Sequence, residues 1–274
     1  MHPLVLRRCH CALSVLLLTL CVGANASIYD WSFTAGSPVN GTVSVDNNGG
    51  SLHSIHSRFD SATNRLSWTI DFADRLTEGF SLVLTDGQSP LGLPGQHSVI
   101  YFDAAHRVRG DAAAPIRLTS FAFNGRADSD SWYDGDGDPS NDGSVAPTAD
   151  CIKSANDGAW ILSAAVTDVT LPGGFQGRRM SFDIDTTDLV SHTPAFNTPS
   201  NWKGTGFSDL LGLYLQTARI FEAEYTPAGE ISWLGTERRG DLIGFDLTTT
   251  APSPGAAALG ALGLAALTRR RRST

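Results

Sequence analysis

Arg65-Leu66-Ser67-Trp68-Thr69-Ile70-Asp71-Phe72 is the stretch that decides the fold class. Leu66, Trp68, Ile70 and Phe72 alternate with Ser67, Thr69 and Asp71. In an extended chain successive side chains point to opposite faces. This period of two therefore puts a large apolar surface on one side and hydroxyls and a carboxylate on the other. A helix would scatter the same four apolar residues around its axis. The stretch reads as a strand with one face on a core and one in water, which is how antiparallel sheets are patterned.

The same alternation predicts strands at 28–33, 41–46, 52–60, 65–73, 79–86, 98–104, 116–124, 160–168, 178–185, 211–217, 219–225, 230–235 and 242–248. Trp31, Trp68, Trp160 and Trp233 fall in these strands and read as core. Turn chemistry separates the runs: Asp46-Asn47-Asn48-Gly49-Gly50 is a turn cluster, Asp60-Ser61-Ala62-Thr63-Asn64 a hairpin loop, and Thr226-Pro227-Ala228-Gly229 a second one. A single short helix is expected at 186–192, started by Asp185 or Thr187. Many short strands without βαβ alternation predict an all-β, antiparallel sandwich of jelly-roll or lectin-like type. Outward faces of Ser, Thr, Asp and Arg argue against a barrel in the outer membrane, which needs a lipid-facing apolar band.

Both ends of the chain read differently from this body. Arg7 and Arg8, the apolar run 12–22 and Ala24-Asn25-Ala26 form a secretory signal, with cleavage set by Ala24 and Ala26. At the other end Pro252-Ser253-Pro254-Gly255 precedes an apolar Gly/Ala/Leu run, then Arg269, Arg270, Arg271 and Arg272. Apolar residues followed by cations enter a bilayer and stop with the charges on the cytoplasmic side. The stretch from Pro252 to Thr268 has 17 residues, short against the roughly 20 of a spanning helix. The expected division is a signal peptide at 1–26, a sandwich domain at 27–250 and a sorting or anchor segment at 251–274.

The order of parts in the last segment resembles the PEP-CTERM sorting signal of bacterial exosortase systems. The resemblance covers about 24 of the 274 residues, and it departs from the pattern at Ser253, where Glu is typical. It implies export, insertion by a C-terminal helix, and processing near Pro254 by an exosortase-type membrane enzyme after signal peptidase has acted. The product would then reside in the cell envelope, at the surface or outside the cell, anchored permanently or only in passing.

Charge partition fits this division. All 28 acidic residues lie between Asp30 and Asp246, whereas Arg7, Arg8 and Arg269–Arg272 take 6 of the 20 basic ones. The region between the signals thus carries 14 cations against 28 acids, a net charge of −14. Nucleic acid, whose phosphates need cations, is excluded as a partner by that balance. Cys151 is the only cysteine left between the signals, so no intramolecular disulfide closes the domain and a hydrophobic core must hold it.

Candidate chemistry is sparse. Asp128, Asp130, Asp134, Asp136, Asp138 and Asp142 share a Gly-rich stretch, and carboxylate oxygens suit Ca²⁺, which takes about 6–8 of them. Asp134, Asp136, Asp138 and Asp142 are the expected ligands, and Ca²⁺ is the only cofactor the sequence points to. The EF-hand spacing breaks down at Pro139 and Val145, which stand where Gly and Glu belong. Glu222 and Glu224 alternate on one strand face, as do Asp183 and Asp185. Such pairs occur in glycosidases but read more simply as solvated acidic edges. Trp132, Tyr133 and Trp202 sit in polar loops. His53 and His56, three apart in a strand, are expected on opposite faces and form no metal pair. No catalytic residue and no phosphate-binding or nucleophile motif emerges. The sequence thus points to an exported surface or matrix protein without catalysis; the alternative is a secreted carbohydrate-binding module or glycan-active enzyme that meets extracellular polysaccharide.

Overall fold

The structure is a computed structural model that describes residues 28–34, 49–85, 97–123, 150–193, 210–239 and 243–248. Twelve strands and two short helices follow in the order β1 (Ile28–Thr34), β2 (Leu52–Asp60), β3 (Arg65–Phe72), β4 (Gly79–Thr85), β5 (His97–Asp103), α1 (Ala105–Val108), β6 (Arg117–Phe123), β7 (Asp150–Lys153), β8 (Ile161–Thr170), β9 (Gln176–Asp185), α2 (Thr187–Ser191), β10 (Leu210–Tyr225), β11 (Ile231–Arg239) and β12 (Ile243–Thr248). The fold is all-β and antiparallel, in two sheets. One has the order β1-β2-β3-β9-β8; the other runs β11-β10-β4-β5-β6-β7, with β12 also on β10.

The stretch that opened the sequence reading is strand β3 at the centre of the first sheet. Leu66, Trp68, Ile70 and Phe72 are buried, and Ser67 and Thr69 face outward. Opposite them on β9 stand Ile184, Phe182, Met180 and Arg178 in register. This face packs on Phe80, Leu82, Leu84, Ile100, Phe102 and Leu118 of the second sheet. Phe182 lies at the junction, with ring centroids 6.4 Å from Trp68, 6.5 Å from Phe80 and 6.3 Å from Phe102.

The second sheet has a core on its other face as well. Val83, Val99, Tyr101 and Phe121 project away from the first sheet, and Ala218, Phe221, Ile231 and Leu234 cover them. This arises because β10 is long. Its residues 212–218 pair with β4, and 218–225 pair with β11, which runs end to end with β12 along the other edge of β10. The sheet curls into a half-barrel until the β10–β11 loop meets the segment after β7: Ala155 N–H donates to Gly229 O (2.8 Å), and Asn156 Nδ2 donates to Pro227 O (3.0 Å). Gly229 turns that corner at φ +87°, a backbone region that glycine enters without cost. Gly79 sits where the two cores meet. A Cβ there would stand 2.6 Å from both Phe102 O and the Phe221 ring.

Most expected strands are present within a residue or two at their ends. The one expected at 41–46 lies outside the described residues. Those expected at 211–217 and 219–225 are one strand, because Ala218 pairs with Gly79 on one edge and Arg239 on the other and the chain never leaves extended backbone. Strand β7 and helix α1 were not anticipated. Helix α2 is present, but its N-cap is Thr186, which makes no side-chain capping bond; Asp185, just before it, accepts the Thr187 N–H through Oδ1 at 2.9 Å. Trp160 is buried, its N–H donated to Ser154 O (3.2 Å). Among the described residues no helix is long and apolar enough to cross a membrane.

Candidate functional site

Several residues singled out in the sequence lie outside the described residues. These are Ala24 and Ala26, the acidic stretch with Asp134, Asp136, Asp138 and Asp142, the loop aromatics Trp132, Tyr133 and Trp202, and the tail with Pro252, Pro254, Gly255 and Arg269–Arg272. Among the described residues no group of three or more His, Cys, Asp or Glu side chains is arranged to hold a metal ion.

The outer face of the first sheet gathers the acids of β3 and β9 into fixed pairs. Asp183 accepts Arg65 Nη2 at 2.8 Å, Ser163 Oγ at 3.2 Å, and the Ser67 hydroxyl. Burial pushes its carboxyl up, but the Arg65 and Ser67 hydrogen bonds outweigh that and hold it below the usual carboxylate range. Asp71 is clamped in the same way, accepting Arg179 Nε and Nη2 at 2.7 and 2.9 Å and Ser54 Oγ at 3.1 Å. Its burial too is outweighed, by the arginine, and its carboxyl is lowered. Asp183 is bonded to three side chains, and Asp185 holds the start of α2. Beside Asp71 a shallow cleft of about 550 Å³ is lined by His53, Ser54, Arg179 and residues 169–172. His53 and His56 are not on opposite faces: a bulge between Leu52 and Ser54 slips the alternation, so Leu52 and Ile55 both reach the core while His53 and His56 both lie away from it.

The β10–β11 hairpin carries the arrangement with most chemical character. Glu222 and Glu224 are exposed on one face of β10, and Phe221, Ala223 and Tyr225 turn to the second core, as the alternation predicts. Trp233, expected in the core, is instead 38% exposed. The reason is a bulge. Glu224 pairs with Trp233, but Tyr225 pairs with Ile231, so Ser232 is one residue too many for its partner strand. Past that point the faces invert: Ile231 and Leu234 are buried, and Trp233 stands among solvent with the two glutamates. Its indole occupies the space beside Gly235 that a side chain there would fill. A Cβ at 235 would collide with Cη2 and stand 2.9 Å from Cζ2. Glu222 is directly across from Gly235, and Glu224 directly across from Trp233, so both glutamates rise from the same outward face as the indole. Arg109 Nη2 is 3.7 Å from Glu222 Oε1 and anchors this edge through Glu78.

Beneath the same hairpin is a small polar pocket of about 260 Å³ lined by Arg117, Asn156, Tyr225, Thr226 and backbone of the loop. The Arg117 guanidinium lies 4.4 Å over the Tyr225 ring. Tyr225 donates its hydroxyl to Asp103 Oδ2 at 2.9 Å, and Ala105 N–H reaches Asp103 Oδ1 at 3.0 Å. Asp103 is 6% exposed; burial raises its carboxyl above the usual range despite those two donors, and burial followed by the Asp103 charge raises the Tyr225 hydroxyl far above its ordinary value. Every group here faces a partner, which makes the cluster a polar pin for the curled sheet.

Nothing in the alternation of 230–235 reveals the exposed indole, because the bulge that turns it outward is a property of the pairing. Comparison with known proteins adds no relative: no family model, no curated protein and no solved structure matches the chain.

Proposed function

We propose that the chain is an exported protein of the bacterial cell surface or extracellular matrix, with a jelly-roll or lectin-like sandwich as a non-catalytic body and residues 251–274 as a sorting segment. The observation that carries this reading is the order Pro252-Ser253-Pro254-Gly255, apolar run, Arg269–Arg272, which resembles an exosortase-type signal. Its partners are then signal peptidase, the processing enzyme and the membrane that holds the C-terminal helix. The engagement of Asp71, Asp183 and Asp185 in hydrogen bonds supports a body whose carboxylates hold strands together. The test is localisation. A chain lacking residues 255–274, expressed in a bacterium with an exosortase-type system, is expected to leave the envelope fraction and to keep its unprocessed C-terminus. Unchanged fractionation would sink the reading.

Weak calcium binding by Asp134, Asp136, Asp138 and Asp142 belongs to the same proposal, since six like charges within 15 residues repel unless a cation screens them. Calcium is expected to raise the melting temperature, and an Asp134→Asn/Asp136→Asn/Asp138→Asn variant to lose that rise. No rise in the wild type would remove the site.

A second reading, binding of extracellular polysaccharide, is favoured by the exposed indole of Trp233. Exposed aromatics mark binding surfaces when polar groups converge on them, and here Glu222 and Glu224 do so.

A further inference from the structure

We infer that the Trp233 face of the β10–β11 hairpin binds a glycan whose sugars carry ammonium groups, such as a chain of amino-hexose residues. This deepens the polysaccharide-binding reading and rests on it; it does not depend on the sorting segment.

The geometry supplies both halves of such recognition. A pyranose ring has an axial C–H face that packs on an aromatic plane and a rim of polar substituents that needs hydrogen-bond partners. The indole of Trp233 offers the plane: its six-membered ring fills the space a side chain at Gly235 would take, and the residue is 38% exposed. The rim is met by Glu222 and Glu224, each directly across the strand pair from residues that form the platform. Side chains directly opposite in an antiparallel pair have Cβ atoms roughly 4.5–5.5 Å apart and diagonal ones about 7–8 Å, so Glu224 borders a sugar stacked on the ring and Glu222, diagonal to Trp233, stays within reach of it.

Charge decides which sugar. Two carboxylates beside an aromatic face attract a cation twice over, through ion pairing and through the ring quadrupole. Arg109 offsets little of this, because its guanidinium is bonded bidentately to Glu78 at 2.7 and 2.6 Å and only approaches Glu222 at 3.7 Å. The net charge of −14 between the signals acts in the same direction at long range. A uronate polymer would meet repulsion at the same place, and a neutral polymer would gain the stacking alone.

The experiment is calorimetric titration of the purified full chain with three hexasaccharides, of glucosamine, glucose and galacturonic acid, at mildly acidic pH and low salt. The glucosamine hexamer is expected to bind about tenfold more tightly than the glucose hexamer, and the galacturonate hexamer not at all. Trp233→Ala is expected to weaken glucosamine-hexamer binding about tenfold, with a melting curve that remains cooperative because the residue lies outside both buried cores. Gly235→Ala keeps the indole but displaces it, and is expected to weaken binding as well. Glu222→Gln/Glu224→Gln should bring the glucosamine hexamer down to the level of the glucose hexamer. Equal binding of those two by the wild type would overturn the amino-sugar assignment and leave polysaccharide binding standing. Failure of all three to bind would overturn both. Glucosamine-hexamer binding that survives Trp233→Ala would place the ligand elsewhere and overturn the inference.

Discussion

The unfolding free energy of a Phe182→Ala variant is expected to fall by about 3–5 kcal/mol. Phe182 is buried on β9 in the first sheet, but its ring reaches two phenylalanines of the second sheet as well as its cross-strand neighbour Trp68. Truncation opens a cavity between the sheets, and the packed neighbours on both sides, already stacked on one another (Phe80 and Phe102 centroids at 4.9 Å), have little room to collapse into it. Equilibrium unfolding in denaturant measures the loss. The control is Phe175→Ala, a residue 62% exposed where the β8–β9 turn enters β9, whose truncation should change stability by no more than about 0.5 kcal/mol. A loss under about 1 kcal/mol for Phe182→Ala would mean that the two sheets do not share this core.

Arg109→Ala is expected to cost about 2–3 kcal/mol, at or below the low end for breaking a buried ion pair because the guanidinium is 41% exposed. Glu78 is the reason. Its carboxylate is buried, accepts both arms of Arg109, and also accepts the Phe221 N–H at 3.0 Å. Its backbone ties Ala104 and Ala218 through hydrogen bonds of 3.0 and 2.9 Å. One residue thus joins β4, the start of α1 and the bend of β10. Without the arginine a carboxylate stays buried with one backbone donor. Adding Glu78→Gln to Arg109→Ala removes the stranded charge, keeps an acceptor for Phe221, and is expected to recover about half of the loss. A double-mutant cycle by denaturant melting checks both. Additive effects would show that the pair is not coupled and that the curl of the sheet is held elsewhere.

The fold class was legible because most strands keep one face on a core, and Leu66, Trp68, Ile70 and Phe72 spell that out. Less legible was anything set by pairing. Thr217 and Ala218 are both buried, which breaks the alternation and reads as the end of a strand, whereas the chain is passing from β4 to β11. Strand β7 has four residues on a sheet edge, and α1 has four with no apolar period, so neither leaves a pattern to read. The same holds for the candidate site. Glu222 and Glu224 on one solvent face follow from spacing alone. Trp233 does not, because its outward turn depends on Ser232 having no counterpart across the hairpin, and the bulge after Leu52 misleads about His53 and His56 in the same way. The second core was hidden for a related reason: Val83, Val99 and Phe121 alternate with residues that are equally buried on the opposite side, so β4 and β5 show no polar face.

One uncounted position at Ser232 has a consequence for how such a hairpin evolves. Removing that single codon would join Ile231 to Trp233 in regular alternation, with the indole still opposite Glu224 and only the kink of the extra residue lost. An indel there would therefore straighten the hairpin without silencing the aromatic, whereas recruiting Ser232 into the pairing would turn the indole inward.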